Sequence, residues 1–378
     1  MPKLECALAD SRIRPFAQPP VLSIVIPTYE RPAELQLTVQ SIADQLKDGL
    51  EDKVELLISD NASGPDTNGM IQALAERYPR LSYMINARDE GGFFNLFAAP
   101  WRAQGRYTWT FGSDDVLLDG GVASVVSILE REAPSFLTLN KRAANANLTE
   151  VLYTQLNTVP DKRFDTFIDL FSAFGVNQLA FISAQIESTE AARVLDAEPY
   201  LRSDTRHPHV VAFLEKHAHA PAYYSAANHL VHRIENSQTA NYNAGNFFDY
   251  AAALPRMLIE IMAKVGAPAD LFERTSGHRQ VKHYDRPEVT LVDTVFENIL
   301  RALDAGYYLT LGHRRALEAT LAHCRPDRLA QFAEIWAYNN KLQQMADRET
   351  QATQALAQGR QLALGASEMF TRSTAPEA

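Results

Sequence analysis

The sequence predicts an α/β fold, a mostly parallel β-sheet flanked by helices and followed by an α-helical C-terminal region. Short, almost wholly apolar runs recur at VLSIVI (21–26), VELLIS (54–59), LSYMIN (81–86), RYTWTF (106–111) and SFLTLN (135–140). Runs of that length and character suit strands buried on both faces. Between them apolar residues return at helical spacing. The intervening turns are short, and strand–helix–strand alternation of this kind gives parallel β–α–β units with right-handed crossovers.

Residues 1–20 form an extended lead-in on this reading, because Pro15, Pro19 and Pro20 block regular structure. The first strand ends at Pro27-Thr28-Tyr29. Pro32 opens a helix, as proline does at a first helical position, and Leu35, Val39, Ile42 and Leu46 mark its buried face. The second strand leads into the breaker-rich turn Asp60-Asn61-Ala62-Ser63-Gly64-Pro65, then a helix with Ile71, Leu74 and Tyr78 on one face. Gly91-Gly92 opens a helical stretch through Phe93, Phe94 and Phe97, with Pro100 towards its end. Gly105 precedes the fourth strand, and Val122, Val125, Val126 and Leu129 mark the helix before the fifth. Beyond Asn140 the pattern weakens. VLYTQLNT (151–158) suits another strand, Phe164 to Phe174 a helix, and QLAFIS (178–183) a strand returning to the sheet. A polar knot, Asp204-Thr205-Arg206-His207-Pro208-His209, precedes a helix beginning near Val210. From Asn246 the pattern is helical almost throughout, which places a domain change near Gly245, with one unit over 21–245 and a helical one over 246–378. The last long helix turns polar after Leu342; its Gln- and Ala-rich end suits a solvated tail or helix pairing in a homo-oligomer.

Composition narrows the class. The 378 residues are 46% hydrophobic and 22% charged, as in ordinary soluble globular proteins. A formal net charge of -10 speaks against wholesale nucleic-acid binding. An anionic ligand is still compatible with that balance where a metal or a local basic group supplies the counter-charge. Cys6 and Cys324 are the only cysteines, too few for a disulfide framework or a structural zinc site and in keeping with a reducing compartment. The segment MPKLECALADSRIRPFAQPP has no apolar core of signal-peptide type, and no uninterrupted apolar run is long enough to span a bilayer. A cytoplasmic protein is expected.

In open α/β sheets ligands sit beyond the carboxyl ends of the strands. That rule collects Thr28-Tyr29-Glu30-Arg31, Asp60-Asn61, Gly91-Gly92 and Asp114-Asp115 on one rim and points to a nucleotide pocket. Adjacent carboxylates after a strand hold a hard divalent cation, which in turn holds phosphate oxygens. Asp115 is the better candidate for direct coordination, and Asp114 either shares the metal or reaches a ribose hydroxyl; the rival reading is that the pair caps the next helix. Asn61, Gly92 and Asn95 are further candidates for the pocket, against plain turn-forming and capping roles. Arg102 and Arg106 are candidates for a diphosphate or simply surface arginines. The basic loop cluster His278, Arg279, Lys282 and His283 either closes over a phosphate or lipid-linked group or is solvated.

Taken together and in order, SIVIPTYERP, ISDNAS, DEGGFFN with the tryptophan that follows, and GRYTWTFGSDDVLLDGG resemble the family 2 glycosyltransferases of GT-A (Rossmann-like) fold. The resemblance covers the first third of the chain well and the next third faintly. It implies an inverting transferase that uses a nucleotide-sugar donor and Mn²⁺ or Mg²⁺, with the nucleotide-sugar half over 21–140 and the acceptor half over 141–245. It implies that Pro27, Thr28, Tyr29 and Glu30 line the nucleotide and that Asp60 reads the base by accepting from a ring N–H. Asp114 and Asp115 match the metal-binding DXD-type motif; Gly112-Ser113 stand where the fuller pattern begins, which rests the metal role mainly on Asp115. The family's catalytic base is an Asp or Glu near a helix start in the second half. The matching region, 204–209, has no Glu-Asp pair, so Asp204 is the first choice and His207 and His209 the alternatives. The implied acceptor is a glycan or polyprenyl-linked glycan of a bacterial surface polysaccharide, met at the inner face of the membrane.

The chemistry agrees with that implication. A nucleoside diphosphate leaves poorly unless its growing charge is neutralised, as a divalent Lewis acid does, and inversion needs a base on the opposite face of the sugar. A nucleotidyltransferase would carry a glycine-rich basic loop after the first strand, and a nicotinamide dehydrogenase would carry Gly-x-Gly-x-x-Gly there; IPTYERP is neither. The remaining alternative is a non-catalytic nucleotide-sugar-binding or assembly subunit, which would need no general base.

Overall fold

The computed structural model describes residues 4–145, 147–154, 159–203, 205–233, 254–268, 308–324 and 326–373, with 271, 296, 299–300 and 303. Along the chain run β1 (Leu8–Arg12), β2 (Leu22–Thr28), α1 (Pro32–Ala43), α2 (Leu50–Lys53), β3 (Val54–Asp60), α3 (Pro65–Arg77), β4 (Leu81–Asn86), α4 (Gly92–Arg102) and β5 (Tyr107–Thr110). Then come β6 (Val116–Leu117), α5 (Gly121–Glu132), β7 (Phe136–Ala144), β8 (Val151–Thr154), β9 (Lys162–Phe164), α6 (Phe167–Ala180), β10 (Gln185–Ser188), α7 (Thr189–Arg193), α8 (Glu198–Leu201), α9 (Pro208–His217) and β11 (Ala222–Arg233). The described C-terminal helices are α10 (Leu254–Lys264), α11 (Leu311–Cys324) and α12 (Leu329–Ser373).

These strands form one sheet in the order β1-β4-β3-β2-β5-β10-β7-β11-β6, with β8 on β7 and β9 on β11. The run β4-β3-β2-β5 is parallel, so Thr28, Asp60, Asn86 and Thr110 end on the same edge. Register sets Pro27 opposite Ser59 and Thr28 opposite Asp60. Beyond β5 the sheet turns mixed, because β10 runs antiparallel to both β5 and β7. The apolar runs predicted as buried strands are indeed buried on both faces: β3 is buried at every position. One face carries Val39, Ile42, Ile71, Leu74, Val122 and Val126 of α1, α3 and α5. On the other, Phe167, Phe171, Val210 and Phe213 of α6 and α9 share a cluster with Leu258, Leu317, Leu321 and Phe332 of the C-terminal helices.

Gly105 shows how tightly the rim-to-rim connection is drawn. A Cβ there would lie 2.6 Å from Ser23 N and 2.7 Å from Leu22 C, so only glycine lets the segment between α4 and β5 cross the start of β2. Ser23 Oγ accepts from Gly105 N at 2.8 Å.

Several expectations change, among them the helix expected from Phe164, a residue that instead ends β9 ahead of α6. The lead-in contains β1, antiparallel to β4; the prolines come after it, and because all five of its residues are exposed it has no apolar alternation to find. The strand expected at 178–183 begins later, at Gln185. Gln178 to Ala180 finish α6, and Ile182–Ala184 make a 3₁₀ turn, since a short apolar run does not distinguish a buried helix end from a strand. The domain change expected near Gly245, the basic cluster His278, Arg279, Lys282 and His283, and 155–158 lie outside the described residues. Among the described residues no helix is long and apolar enough to cross a membrane.

Candidate functional site

A cleft of about 330 Å³ opens at the carboxyl edge of β2, lined by Pro27, Thr28, Tyr29, Arg31, Asn61, Gly92, Asn95, Gly112, Ser113 and Asp114. The structure thus brings together Pro27, Thr28, Tyr29, Asn61, Gly92, Asn95 and Asp114 from the expected residues. Tyr29 is the exposed lip, at 48%. Thr28 is buried, and its Oγ1 has no hydrogen-bond partner among the described residues.

The walls are set by buried hydrogen bonds. Asn95 Nδ2 donates to Ser59 O at 2.6 Å, and its Oδ1 accepts from Ser59 Oγ at 2.5 Å and Arg102 Nη1 at 2.9 Å. Asn61 Oδ1 accepts from Asn86 Nδ2 at 2.9 Å and Glu90 N at 3.1 Å, while its Nδ2 donates to Asp89 Oδ1 at 2.5 Å. Arg102 Nη2 completes the ring by donating to Asn86 Oδ1 at 2.6 Å. Arg102 therefore orients the cleft's amides from behind instead of facing a diphosphate, and burial lowers its pKa. Arg106 sits at the opposite edge, where its N–H donates to Pro20 O at the start of β5.

Asp60 and Glu30 shape the loops. Asp60 is buried and accepts from Ser63 N at 2.9 Å and Ser63 Oγ at 2.5 Å; burial raises its carboxyl pKa against those bonds. Glu30 has φ 51°, a left-handed conformation for a non-glycine residue. It is held there by its N–H on Ser63 Oγ at 2.9 Å and by Gly64 N on its Oε1 at 2.6 Å.

The acidic pair divides between cleft and interior. Thr38 Oγ1 of α1 donates to Ser113 O at 2.9 Å and Asp115 O at 2.7 Å, fixing the turn. Asp114 faces the cleft and pairs with Arg31, Nη1 to Oδ2 3.2 Å. Asp115 is buried beneath Gly112, and its Oδ2 accepts from Ser183 Oγ at 2.5 Å. Burial, then the neighbouring Asp114, raises its carboxyl well above the ordinary range. Burial pushes Lys141 down to about 7, with the Asp115 charge acting the other way; its Nζ lies 3.7 Å from the centre of the Phe181 ring, on which His232 stacks. Arg233 Nε donates to Asp114 O at 2.5 Å. Ser183, Lys141 and Arg233 were not picked out from the sequence. Lys141, which directly follows the fifth apolar run, is the one whose position carried a signal.

The donor set fits a hard cation. At Gly112, the place a Cβ would occupy lies 2.9 Å from Asp115 Oδ2, 3.0 Å from Ser183 Oγ and 3.2 Å from Asp114 Oδ1. Glycine thus leaves a small cradle of three oxygens, the donor type that Mg²⁺ and Mn²⁺ prefer, with further positions left for phosphate oxygens and water.

The two described base candidates, His207 and His209, do not share this wall. Asp204 lies outside the described residues. His207 is buried at the N-cap of α9, its N–H on Thr205 Oγ1 at 3.1 Å. His209 is buried in the interior: Nε2 is 3.0 Å from Ala180 O, the ring meets Phe213 edge-on, and the residue lines a small cavity with Phe97, Glu187 and Lys216. Burial, then His207, pushes its pKa down to about 3, which suits packing and not proton abstraction. Because the fold keeps this ring neutral, only the unfolded chain takes up its proton between the ordinary 6.5 and about 3. Stability is therefore expected to fall with pH in that window, by up to about 1.4 kcal/mol per unit from this group. Urea midpoints measured from about pH 6 to about pH 4 should show a correspondingly flatter slope in His209→Gln.

Residues 23–186 match the model of glycosyl transferase family 2. The match places residues 23–186 in that family. Two curated relatives are named as sugar transferases. The abequosyltransferase RfbV of Salmonella typhimurium is 26% identical over 265 residues, 67% of this chain and 76% of its own. A GalNAc(5)-diNAcBac-PP-undecaprenol beta-1,3-glucosyltransferase of Campylobacter jejuni is 29% identical over 109 residues, 28% of this chain and 34% of its own. The fold also superposes on the crystal structure of S. aureus TarS 1-349 with a TM-score of 0.51 at 11% identity, over 85% of this chain and 88% of that one. The architecture is the GT-A fold, a central sheet flanked by helices with a helical C-terminal region.

Proposed function

We propose that this glycosyltransferase is metal-dependent and inverting, and that it moves a sugar from a nucleotide-sugar donor to a glycan or polyprenyl-linked glycan acceptor in bacterial surface polysaccharide synthesis. The three-oxygen cradle over Gly112, at the floor of the rim cleft, carries the reading. The base and ribose take the side of Thr28, Tyr29, Asn61 and Asn95, with Asp60 and Glu30 holding the loops that form it. Asp115, Asp114 and Ser183 would hold Mn²⁺ or Mg²⁺. When bound, the ion supplies the positive charge that a departing diphosphate needs. The raised Asp115 carboxyl supports this, since a buried acid whose charge is costly in the empty fold is what a cation would stabilise. Asp204, ahead of α9, is the preferred base, with His207 the alternative. The names of the Salmonella and Campylobacter relatives, the second with its undecaprenol-linked acceptor, support a glycan or polyprenyl-linked acceptor, met in the cytoplasm at the inner membrane face.

A thermal-shift screen of nucleoside diphosphates, each with and without Mn²⁺, tests the proposal. Ligand at a hundredfold excess over Kd stabilises the fold by about 2.7 kcal/mol, so one base should raise Tm by several degrees and only with the metal. Equal shifts for all bases, or shifts indifferent to Mn²⁺, would count against it.

A further inference from the structure

Of the described residues that line the cleft, Arg31 alone is basic, and its partner is Asp114 of the acidic pair. We infer that Arg31 is a built-in placeholder cation: it holds Asp114 until a divalent ion takes that carboxylate, then turns to the diphosphate in the same cleft. The inference deepens the metal-dependent reading above and rests on it.

The geometry divides one carboxylate between two cations. Asp114 Oδ1 faces the cradle over Gly112, while Oδ2 faces Arg31 Nη1 at 3.2 Å. An ion in the cradle and the Arg31 guanidinium would therefore share Asp114, two positive charges competing for one negative. The pair is only partly shielded, with side-chain exposures of 22% for Arg31 and 23% for Asp114, so the arm is free to turn without unpacking a core. Its root is fixed. Arg31 is the N-cap residue of α1 and follows the left-handed Glu30, which is clamped to Ser63 and Gly64. A side-chain rotation alone then carries the guanidinium along the cleft wall, and a planar fork of donors suits phosphate oxygens as well as it suits a carboxylate. Diphosphate would favour the ion by drawing Arg31 off Asp114. By linkage the ion would favour diphosphate by releasing Arg31 towards it. Metal without nucleotide is thereby bound weakly, which keeps the site from filling with a cation when no donor is present.

The test is Mn²⁺ binding, followed by the electron paramagnetic resonance of the free ion, on wild type, Arg31→Met, Arg31→Lys and Asp114→Asn. With Mn²⁺ alone, Arg31→Met should bind about tenfold tighter than wild type and Arg31→Lys in between, while Asp114→Asn binds more weakly. With inorganic pyrophosphate alone, calorimetry should show several-fold weaker binding to Arg31→Met than to wild type. Equal Mn²⁺ affinity in wild type and Arg31→Met, with Asp114→Asn weakened, would overturn the placeholder role and leave the metal reading standing. Undiminished pyrophosphate affinity in Arg31→Met would overturn the turn towards diphosphate. No Mn²⁺ binding to any variant would overturn both the inference and the reading beneath it.

Discussion

Asp115→Asn is expected to lower kcat/KM for sugar transfer or donor hydrolysis by at least about a hundredfold, the range found when one preorganised charge-stabilising group is removed. The substitution preserves shape: an amide oxygen still accepts from Ser183 Oγ, so the turn held by Thr38 has no reason to move. What goes is the negative charge that the proposed ion would sit on. The same variant should be at least as stable as wild type when no metal is present. The carboxyl pKa is raised in the fold, so above the ordinary carboxylate range the unfolded chain has lost a proton that the folded chain still holds. Stability then declines as pH rises through that window, and asparagine has no such decline. Lys141 loses an opposing charge in the variant, which takes back part of the gain. Activity down with stability held or raised is the signature of a charge kept for function. Activity within threefold of wild type under saturating Mn²⁺ would remove Asp115 from the proposed mechanism. The readouts are steady-state rates across a panel of nucleotide sugars and thermal midpoints of the metal-free proteins.

How much of this was legible in the sequence differs by element. The strands β2 to β5 announce themselves because parallel strands covered on both faces are apolar throughout, and their shared polarity fixes which ends meet. That alone puts Thr28, Asn61, Gly92 and Asp114 on one rim. What was hidden depends on side-chain direction across long separations. Asp60 and Asn61 are neighbours in a turn, yet Asn61 lines the cleft while Asp60 turns to Ser63. Asp114 and Asp115 part in the same way, because Ser183, 68 residues onward, draws Asp115 under Gly112. Arg102 looks like a surface arginine on a helix end, and only the meeting of β3, β4 and α4 shows that it faces Ser59, Asn95 and Asn86. β10 was expected too early, at the apolar 178–183, because its own residues, Gln185-Ile186-Glu187-Ser188, look polar. Their polar groups are buried with partners that come from α6 and α9.

That last group leads to the other large effect. Glu187→Gln is expected to destabilise the protein by about 3–5 kcal/mol, the usual result of breaking a buried ion pair by removing one partner. Glu187 Oε2 accepts from Lys216 Nζ and, at 3.0 Å, from His217 Nε2, while His217 Nδ1 shares a hydrogen bond of 2.8 Å with Ser135 Oγ. The side chains of Glu187, Lys216 and His217 are 9%, 4% and 0% exposed, so water cannot replace a lost partner. Burial alone would raise the Glu187 carboxyl, yet Lys216 and His217 outweigh it and hold the carboxyl below its ordinary range. Its contribution is thus present above the ordinary carboxylate pKa of about 4.5 and is lost as pH falls through the lower folded value. Wild type should lose stability in acid that Glu187→Gln has already lost at neutral pH, and the two urea-midpoint curves should converge there. A midpoint drop on the order of 10 °C is expected for the single variant. The double variant Glu187→Gln, Lys216→Met separates a true ion pair from simple crowding. Removing the stranded ammonium should recover much of the loss, whereas losses that merely add would mean the two groups stabilise α9 against β10 independently.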